Sequence, residues 1–203
     1  RVIDRCGSLR YWRASGTMLA ACFILQRGTP FIYQGQELGM TNIALDSIDK
    51  YLDIASVNAY HRFHRREPEN KRLHRIHISS RDSARTPGQW TPVKNAGFSE
   101  HEPWFGVNPN YRTVNAETEE KDPDSILHFY RRCLRLRKSS KVFLKGSYRE
   151  YHSLSRRLYV YERSYEGTRA LVICSFSDRP AACRLPRGYS HAGAEVILDN
   201  YRE

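Results

Sequence analysis

Residues 28–42 read GTPFIYQGQELGMTN, and this stretch predicts a short strand that leads into a polar turn. Its first three residues end a preceding helix, and the run over residues 29–33 is β-prone. Residues 34–40 form a polar turn that contains two glycines. A strand this short and apolar fits a sheet that is buried on both faces, and α/β proteins place their chemistry just past the carboxyl end of such a strand. The stretch therefore predicts one strand of a parallel sheet followed by a functional loop.

A helix is predicted directly before this strand, over residues 10–26. It contains the run MLAACFIL over residues 18–25, which is apolar enough to predict burial on nearly every side. Arg27 and Gly28 end the helix, and the strand follows within a few residues. A connection this short is typical of alternating α/β folds.

Length and composition are those of an ordinary globular protein. The chain has 203 residues, which is enough for one large or two small domains, and 40% of them are hydrophobic. Its longest apolar run is far shorter than the roughly 20 residues that span a bilayer, so no membrane partner is predicted. Residue 1 is an arginine, and we see no targeting segment, so the chain is expected to begin inside a longer protein.

Cysteine usage favours a reducing compartment. The five cysteines are odd in number, scattered, and without a CxxC pair. They are Cys6, Cys22, Cys133, Cys174 and Cys183. This pattern is typical of reduced, mostly buried thiols in a cytosolic protein, so the sequence predicts a cytoplasmic location.

The net charge of +11, from 33 Lys and Arg against 22 Asp and Glu, raises the question of an anionic partner. Much of the excess lies in residues 62–75 and 131–141. Solvated helix faces and a basic loop explain such segments more simply than a nucleic-acid surface does. Since no motif of a nucleic-acid-binding module accompanies the charge, a nucleic-acid partner is not favoured.

A second helix is predicted over residues 46–66, and Pro68, two residues later, prevents it from continuing. Its apolar residues are Ile48, Leu52, Val57, Tyr60 and Phe63. His61 and His64, like His74 and His77, are spaced three apart as some metal ligands are. No cysteine or carboxylate cluster completes such a site, so no metal is predicted.

The candidate site residues lie in a long irregular segment over residues 79–111, and a loop of that length in a compact domain is usually functional. Within it, Arg81, Asp82 and Arg85 combine a planar fork of donors with an acceptor. Two interpretations stay open. Either this set binds a polar small ligand, or an Arg–Asp pair inside the loop only orders it.

The predicted secondary structure changes from helical to β-prone near residue 141. A helix is predicted over residues 122–138, with Asp122 as its N-cap and Pro123 in its first position. Short β-prone segments follow, separated by turns such as residues 165–168. They lie at residues 146–151, 158–163, 170–176, 182–185 and 195–198. The chain is therefore predicted to divide into residues 1–141 and a separate antiparallel β domain over residues 142–203.

Six motifs, in order, resemble the carboxyl-terminal part of glycoside hydrolase family 13. They are GTPFIYQGQELGMTN, YLDIASVNAY, SRDSARTPGQW, NAGF, PWFGVNPNY and DSILHFYRRCLRLRKSS. Within the family they are most similar to oligo-1,6-glucosidases, α-glucosidases and trehalose-6-phosphate hydrolases. The resemblance implies an α/β plus all-β fold: the last part of a (β/α)8 TIM barrel, over residues 1–141, then an antiparallel β-sandwich domain, both incomplete. Residues 28–33 are then the eighth barrel strand.

The resemblance also implies a mechanism. Family members are retaining hydrolases with a nucleophilic Asp and an acid/base Glu roughly 5 Å apart. The resemblance places both of these, a third Asp and the calcium loop of the family before Arg1. It therefore implies no catalytic residue and no cofactor in this chain, and no activity for the chain alone. An oligosaccharide is the implied substrate of the whole enzyme, and a non-catalytic carbohydrate-binding or interaction module is the alternative.

Five residues are matched to positions of the family site. Arg81 matches an arginine that contacts the non-reducing sugar, and Asp82 and Arg85 are expected to hold its loop. Glu37 matches an acid that supports the loops around the site. Arg1 matches the last residue of the motif that contains the third Asp.

Two positions depart from the family pattern. Ala55 stands where relatives usually carry a Glu that contacts the leaving sugar, and Gly88 stands where they usually carry a Met. The preference between α-1,6 and α-1,4 bonds therefore stays open, as does recognition of a 6-phosphate.

Overall fold

The structure of this protein is a computed structural model that describes residues 1–62, 67–152, 154–189 and 193–201. In these ranges the helices are α1 (Val2–Cys6), α2 (Trp12–Ile24), α3 (Ile54–Arg62), α4 (Glu69–Ser79), α5 (Asp82–Arg85), α6 (Ala116–Lys121), α7 (Ile126–Ser139) and α8 (Lys141–Lys145). The strands are β1 (Ser147–Tyr151), β2 (Leu158–Tyr165) and β3 (Thr168–Ser175). Short 3-10 helices lie at Ile48–Lys50, Lys94–Gly97 and Pro109–Arg112. None of the described helices has the length and apolar character needed to cross a membrane.

Helix α2 confirms the helix predicted over residues 10–26. No residue of α2 from Gly16 onward is exposed, as the apolar run predicts. The core cluster that α2 shares with α7 includes Ala20, Cys22, Ile24, Leu25, Ile126, Phe129, Tyr130 and Cys133. A Cβ on Gly16 would lie 2.6 Å from Cδ1 of Ile126, so the glycine permits the close approach of the two helices.

The prediction of a strand over residues 29–33 is wrong. These residues form neither strand nor helix, and the only sheet in the described ranges consists of β1, β2 and β3. Phe31, at 86% exposure, is far from buried. A barrel strand obtains its hydrogen bonds and its burial from two neighbouring strands, and the described residues supply neither neighbour. The polar turn does follow, with Gly35 and Gly39 at φ values of 78° and 65°.

The helix predicted over residues 46–66 is interrupted at residues 51–53. The cause is a side chain from elsewhere: Asp82 Oδ2 accepts hydrogen bonds from the backbone N–H groups of Leu52, at 2.8 Å, and Asp53, at 2.9 Å. These amides are thereby fixed just before α3. The part of the prediction that covers Phe63, His64, Arg65 and Arg66 lies outside the described residues. The sequence patterns predicted neither α4 nor α6.

Helix α7 confirms the helix predicted over residues 122–138 but begins later, at Ile126. Its N-cap is Ser125, whose Oγ accepts from the backbone N–H of His128 at 3.2 Å. The N-cap role predicted for Asp122 is therefore wrong. Asp122 forms an ion pair with Arg13 at 2.5 Å instead.

The three strands form one antiparallel sheet in the order β1-β2-β3. A two-residue turn pairs Tyr165 with Thr168, and it uses Glu166 and Gly167 at φ values of 47° and 82°. Residues 182–185 and 195–198 form no strand in the described part, so those two strand predictions are wrong. A second sheet, which a sandwich requires, is not found in the described ranges.

The sheet packs directly on the helices. Tyr161, Val172 and Cys174 belong to the same core cluster as α2 and α7. The hydroxyl of Tyr161 donates to the backbone carbonyl of Cys22 at 3.0 Å. The domain division at residue 141 stays a prediction, but the two parts share one core.

The basic segment over residues 131–141 is only partly a solvated helix face. Arg131, Arg135 and Lys138 are exposed, as predicted. Arg137 is buried, and its guanidinium donates to the backbone carbonyl of Ile24 at 2.6 Å. The prediction of a solvated face is therefore wrong at Arg137.

The cysteines follow the predicted pattern of mostly buried thiols. Cys22, Cys133 and Cys174 are buried, Cys183 is half-buried and Cys6 is exposed, and all five are free thiols. Burial raises the pKa of Cys133 to about 12, so this thiol stays neutral at physiological pH.

Candidate functional site

Arg81 and Asp53 form an ion pair between the starts of two helices. Arg81 directly precedes α5, and Asp53 directly precedes α3. Arg81 Nε and Nη2 donate to Asp53 Oδ1 at 3.1 and 2.7 Å. The second carboxylate oxygen, Oδ2, accepts from Ser56 Oγ at 2.7 Å. The Asp53 side chain is 3% exposed and that of Arg81 is 69% exposed, so a buried carboxylate holds an exposed guanidinium.

This geometry keeps donors of Arg81 available. A guanidinium has five N–H donors. The pair with Asp53 uses Nε and Nη2, and Nη1 donates to no acceptor among the described residues. A planar fork of donors, held at a fixed position, suits the hydroxyl oxygens of a polar ligand.

Asp82 and Arg85 order the loop from inside. The fully buried carboxylate of Asp82 binds the two backbone N–H groups before α3 through Oδ2 and accepts from Arg85 Nη1 through Oδ1 at 3.1 Å. The sequence left open whether an Arg–Asp pair binds a ligand or orders the loop. In the structure Arg81 pairs with the distant Asp53 and stays exposed, while Asp82 and Arg85 pair with each other. Ligand binding by Arg81 stays a prediction.

Arg1 lies against the polar turn. Its Nη1 donates to the carbonyl of Gln34 at 2.5 Å and its Nη2 to Thr86 Oγ1 at 3.0 Å. The guanidinium carbon is 5.6 Å from the ring centroid of Tyr33, whose hydroxyl donates to the carbonyl of Ala84 at 3.0 Å. These contacts tie the turn to the loop that carries Arg81.

Glu37 acts electrostatically on Arg1, whereas the acids that act on Arg81 are others. Burial lowers the pKa of Arg1, and the nearby Tyr33, Glu37 and Asp4 partly oppose this. By contrast, the acids that raise the pKa of Arg81 are Asp53, through its hydrogen bond and its charge, and Asp82. Glu37 Oε2 is buried without a hydrogen-bond partner among the described residues, and so is Arg1 Nε. The supporting role of Glu37 and Arg1 stays a prediction.

The two departures from the family pattern lie near this loop. Ala55 is exposed in the first turn of α3, two residues after Asp53. Gly88 is half-buried, and a Cβ at this position would lie 3.3 Å from Trp90 Nε1. Their effect on linkage preference stays a prediction.

The described residues contain no candidate metal centre, because no group of three or more His, Cys, Asp or Glu side chains within them could hold an ion. His77 Nε2 lies 2.9 Å from the carbonyl of Leu45, and its ring stacks on Tyr51. His64 lies outside the described residues.

Sequence reasoning missed Asp53 as the partner of Arg81. The two residues are 28 positions apart, and no local pattern joins them. The usable signal is that Asp53 comes directly before an apolar helical pattern, where acidic residues are typical.

The ionised carboxylate of Asp53 is expected to stabilise the folded protein, and the free energy of unfolding is expected to fall when this carboxylate is protonated in acid. Burial favours its neutral form, but the hydrogen bonds from Arg81 and Ser56 outweigh burial and lower its pKa to about 2. An unfolded Asp has a pKa of about 3.9, so this stabilisation is fully present above about pH 4 and is lost as the pH falls through about 2.

Urea unfolding midpoints of the wild type and Asp53→Asn, measured at about pH 6 and about pH 2.5, test this expectation. The stability difference between the two proteins is expected to narrow at the lower pH, because only the wild type carries the titrating carboxylate. A difference that is the same at both pH values contradicts the assignment.

The chain is similar to known proteins in sequence and in fold. The family model described as "Alpha amylase, catalytic domain" matches residues 1–146. The oligo-1,6-glucosidase of Bacillus cereus is 38% identical over 204 residues, which cover 99% of this chain and 37% of the relative. The trehalose-6-phosphate hydrolase of Bacillus subtilis (strain 168) is 36% identical over 204 residues, which cover 98% of this chain and 36% of the relative.

Solved structures give the same result. The crystal structure of Bacillus licheniformis trehalose-6-phosphate hydrolase is similar to this chain with a TM-score of 0.92 at 37% identity, and the match covers 98% of this chain and 37% of that one. The chain thus spans little more than a third of the length of these relatives. Because the family model matches well over half of its residues, the chain belongs to the alpha-amylase family of glycoside hydrolases, glycoside hydrolase family 13.

Proposed function

We propose that the protein containing this chain is a retaining α-glucosidase that hydrolyses terminal α-1,6 or α-1,4 glucosidic bonds of short oligosaccharides. In this proposal the chain supplies part of the substrate-binding side of the active site. The observation that carries the proposal is the exposed guanidinium of Arg81, held by the buried carboxylate of Asp53. Similarity to a protein named as an oligo-1,6-glucosidase supports a glucosyl unit as the ligand of that guanidinium.

Arg81 is suited to hold a sugar in one orientation. Its anchor oxygen, Asp53 Oδ1, receives two of its N–H groups, so the guanidinium plane is fixed before a ligand arrives. A pre-ordered donor loses little conformational entropy on binding, which strengthens each hydrogen bond to a sugar hydroxyl. The high exposure of the side chain leaves room for such a ligand.

We place the catalytic carboxylates outside this chain. Retaining hydrolysis needs a nucleophilic carboxylate and a carboxylic acid about 5–5.5 Å apart. Asp53 is poorly suited to be the acid, because its pKa is about 2. Asp82 already binds two backbone N–H groups and Arg85. We also place the enzyme in the cytoplasm, which the five free cysteines favour.

Glucose release tests the proposal. The protein encoded together with its upstream sequence is expected to release glucose from isomaltose or maltose, whereas the 203-residue chain alone is expected to release none above background. Trehalose 6-phosphate serves as a third substrate that separates the two groups of relatives. Turnover by the purified 203-residue chain contradicts the placement of the carboxylates. An upstream sequence without an Asp and Glu pair favours the alternative, a non-catalytic carbohydrate-binding module.

A further inference from the structure

Two buried arginines bind the carboxyl end of α2. Arg137, on α7, donates through Nη1 to the carbonyls of Ile24 and Gln26, each at 2.6 Å, and through Nη2 to the carbonyl of Gly28. Arg163, on β2, donates through Nη1 to the carbonyl of Leu25 at 2.8 Å.

Arg163 also links this helix end to the start of the sheet. Its Nη2 donates to the carbonyl of Gly146 at 2.9 Å and its Nε to the carbonyl of Ser147 at 3.0 Å. The side chain is 0% exposed. All three nitrogens of this guanidinium therefore bind backbone carbonyls, on α2 and at β1.

Neither arginine forms an ion pair with a carboxylate among the described residues, although both are buried. Burial lowers the pKa of Arg163, and the charge of Arg137 lowers it further. The compensation comes from carbonyls that a helix end leaves without partners, where the helix dipole also favours positive charge. Desolvating two buried cations is costly, and the carbonyls offset that cost only while they stay within hydrogen-bond reach of the guanidiniums. The arrangement therefore fixes where the carboxyl end of α2 lies relative to α7 and the sheet.

Four of the bound carbonyls, those of Ile24, Leu25, Gln26 and Gly28, belong to the residues that lead into the candidate site. Gly28 is followed by residues 29–33, which pair with no described strand, and then by the polar turn. The hydroxyl of Tyr33 binds the carbonyl of Ala84, in the loop that begins at Arg81. A shift of the α2 end would thus be passed to residues 28–33 and, through Tyr33, to the Arg81 loop.

We propose that Arg163 and Arg137 are positioning residues through which the carboxyl-terminal sheet and α7 set the place of residues 28–33 and of the Arg81 loop. The sheet is then a determinant of site geometry and not only an appended domain. This inference rests on the proposed function only where it calls the Arg81 loop a substrate site.

Hydrogen exchange of the whole protein, resolved to peptides, tests this inference without any substrate. In Arg163→Met, exchange in residues 26–42 is expected to be at least about tenfold faster, while exchange in α7 changes little. Arg163→Lys, which can still bind one carbonyl, is expected to be intermediate. Arg135→Met is the matched control, because Arg135 is exposed on the same helix as Arg137, and it is expected to leave residues 26–42 unchanged.

Enzyme activity provides a second measurement, which would not change if Arg163 had a purely structural role. Well below its unfolding temperature, Arg163→Lys is expected to lower kcat/KM for isomaltose by about tenfold while Arg135→Met keeps the wild-type value. Unchanged exchange in residues 26–42 of Arg163→Lys, or an equal increase in residues 26–42 and α7, overturns the inference. If Arg163→Met does not fold, Arg163→Lys alone decides. An inactive wild-type protein removes the proposed function and leaves the exchange test intact.

Discussion

Replacing Asp82 with alanine is expected to lower the free energy of unfolding by about 2–4 kcal/mol. The fully buried carboxylate accepts from the backbone N–H groups of Leu52 and Asp53 and from Arg85. Its removal leaves the Asp53 amide buried without its acceptor and removes the contact that starts α3. Urea unfolding followed by far-UV circular dichroism measures the loss.

Asp46→Ala is the matched control, because Asp46 is exposed and its ion pair with the exposed Lys50 lies on the surface. It is expected to change the free energy of unfolding by less than about 0.5 kcal/mol. Asp82→Asn keeps one acceptor oxygen and is expected to lie between the two. A stability of Asp82→Ala equal to that of Asp46→Ala contradicts the role of Asp82 as the residue that orders the loop.

Replacing Arg81 with alanine is expected to lower kcat/KM of the whole protein for isomaltose by about 100-fold to 1,000-fold. Two hydrogen bonds from a charged donor to sugar hydroxyls, each at the lower end of the usual range of about 1.5–3 kcal/mol, together contribute about 3–4 kcal/mol, which gives a loss of this size. Arg81→Lys keeps the charge but loses the planar fork, so it is expected to recover only part of the activity. Initial rates over a range of isomaltose concentrations measure the effect.

Arg10→Ala serves as the control for Arg81→Ala. Arg10 is exposed, and its guanidinium carbon lies 5.4 Å from the ring centroid of Tyr11. It is expected to keep the wild-type kcat/KM. Wild-type activity of Arg81→Ala would show that this guanidinium does not bind the substrate.

The parts of the fold that depend on local patterns were predictable from the sequence. Helix α2 follows from the apolar run over residues 18–25, and α7 follows from an apolar stripe on one helix face, formed by Ile126, Leu127, Tyr130, Cys133 and Leu134. The turn between β2 and β3 follows from its Glu-Gly pair. In each case the deciding interactions lie within a few residues of one another.

The parts that depend on distant residues were not predictable from local pattern. The break before α3 is caused by Asp82, which lies about 30 residues further along the chain. The run over residues 29–33 has the composition of a strand but no neighbouring strand in the described part. Composition predicts the tendency to form a strand, and pairing decides whether one forms.

The geometry of the candidate site also depends on residues that are distant in sequence, so local patterns did not predict it. The sequence shows an arginine at position 81 next to an aspartate. This pattern predicted either a site for a polar ligand or an ion pair that orders the loop. It did not predict that Asp53 holds Arg81 while Asp82 binds backbone amides. Nor did the basic composition of residues 131–141 predict that Arg137 is buried on helix carbonyls. Such pairings depend on the packing of α3, α5 and α7, which no single segment encodes.

A double-mutant cycle between Arg81 and Asp53 tests the central claim most directly, with kcat/KM of the whole protein for isomaltose as the readout. If Asp53 acts by holding Arg81 against the sugar, Arg81→Ala, Asp53→Ala and the double variant are each expected to lose activity to a similar extent, about 100-fold or more. The coupling energy is then nearly as large as either single effect. Wild-type activity of both single variants, or losses that simply multiply in the double variant, would contradict the claim.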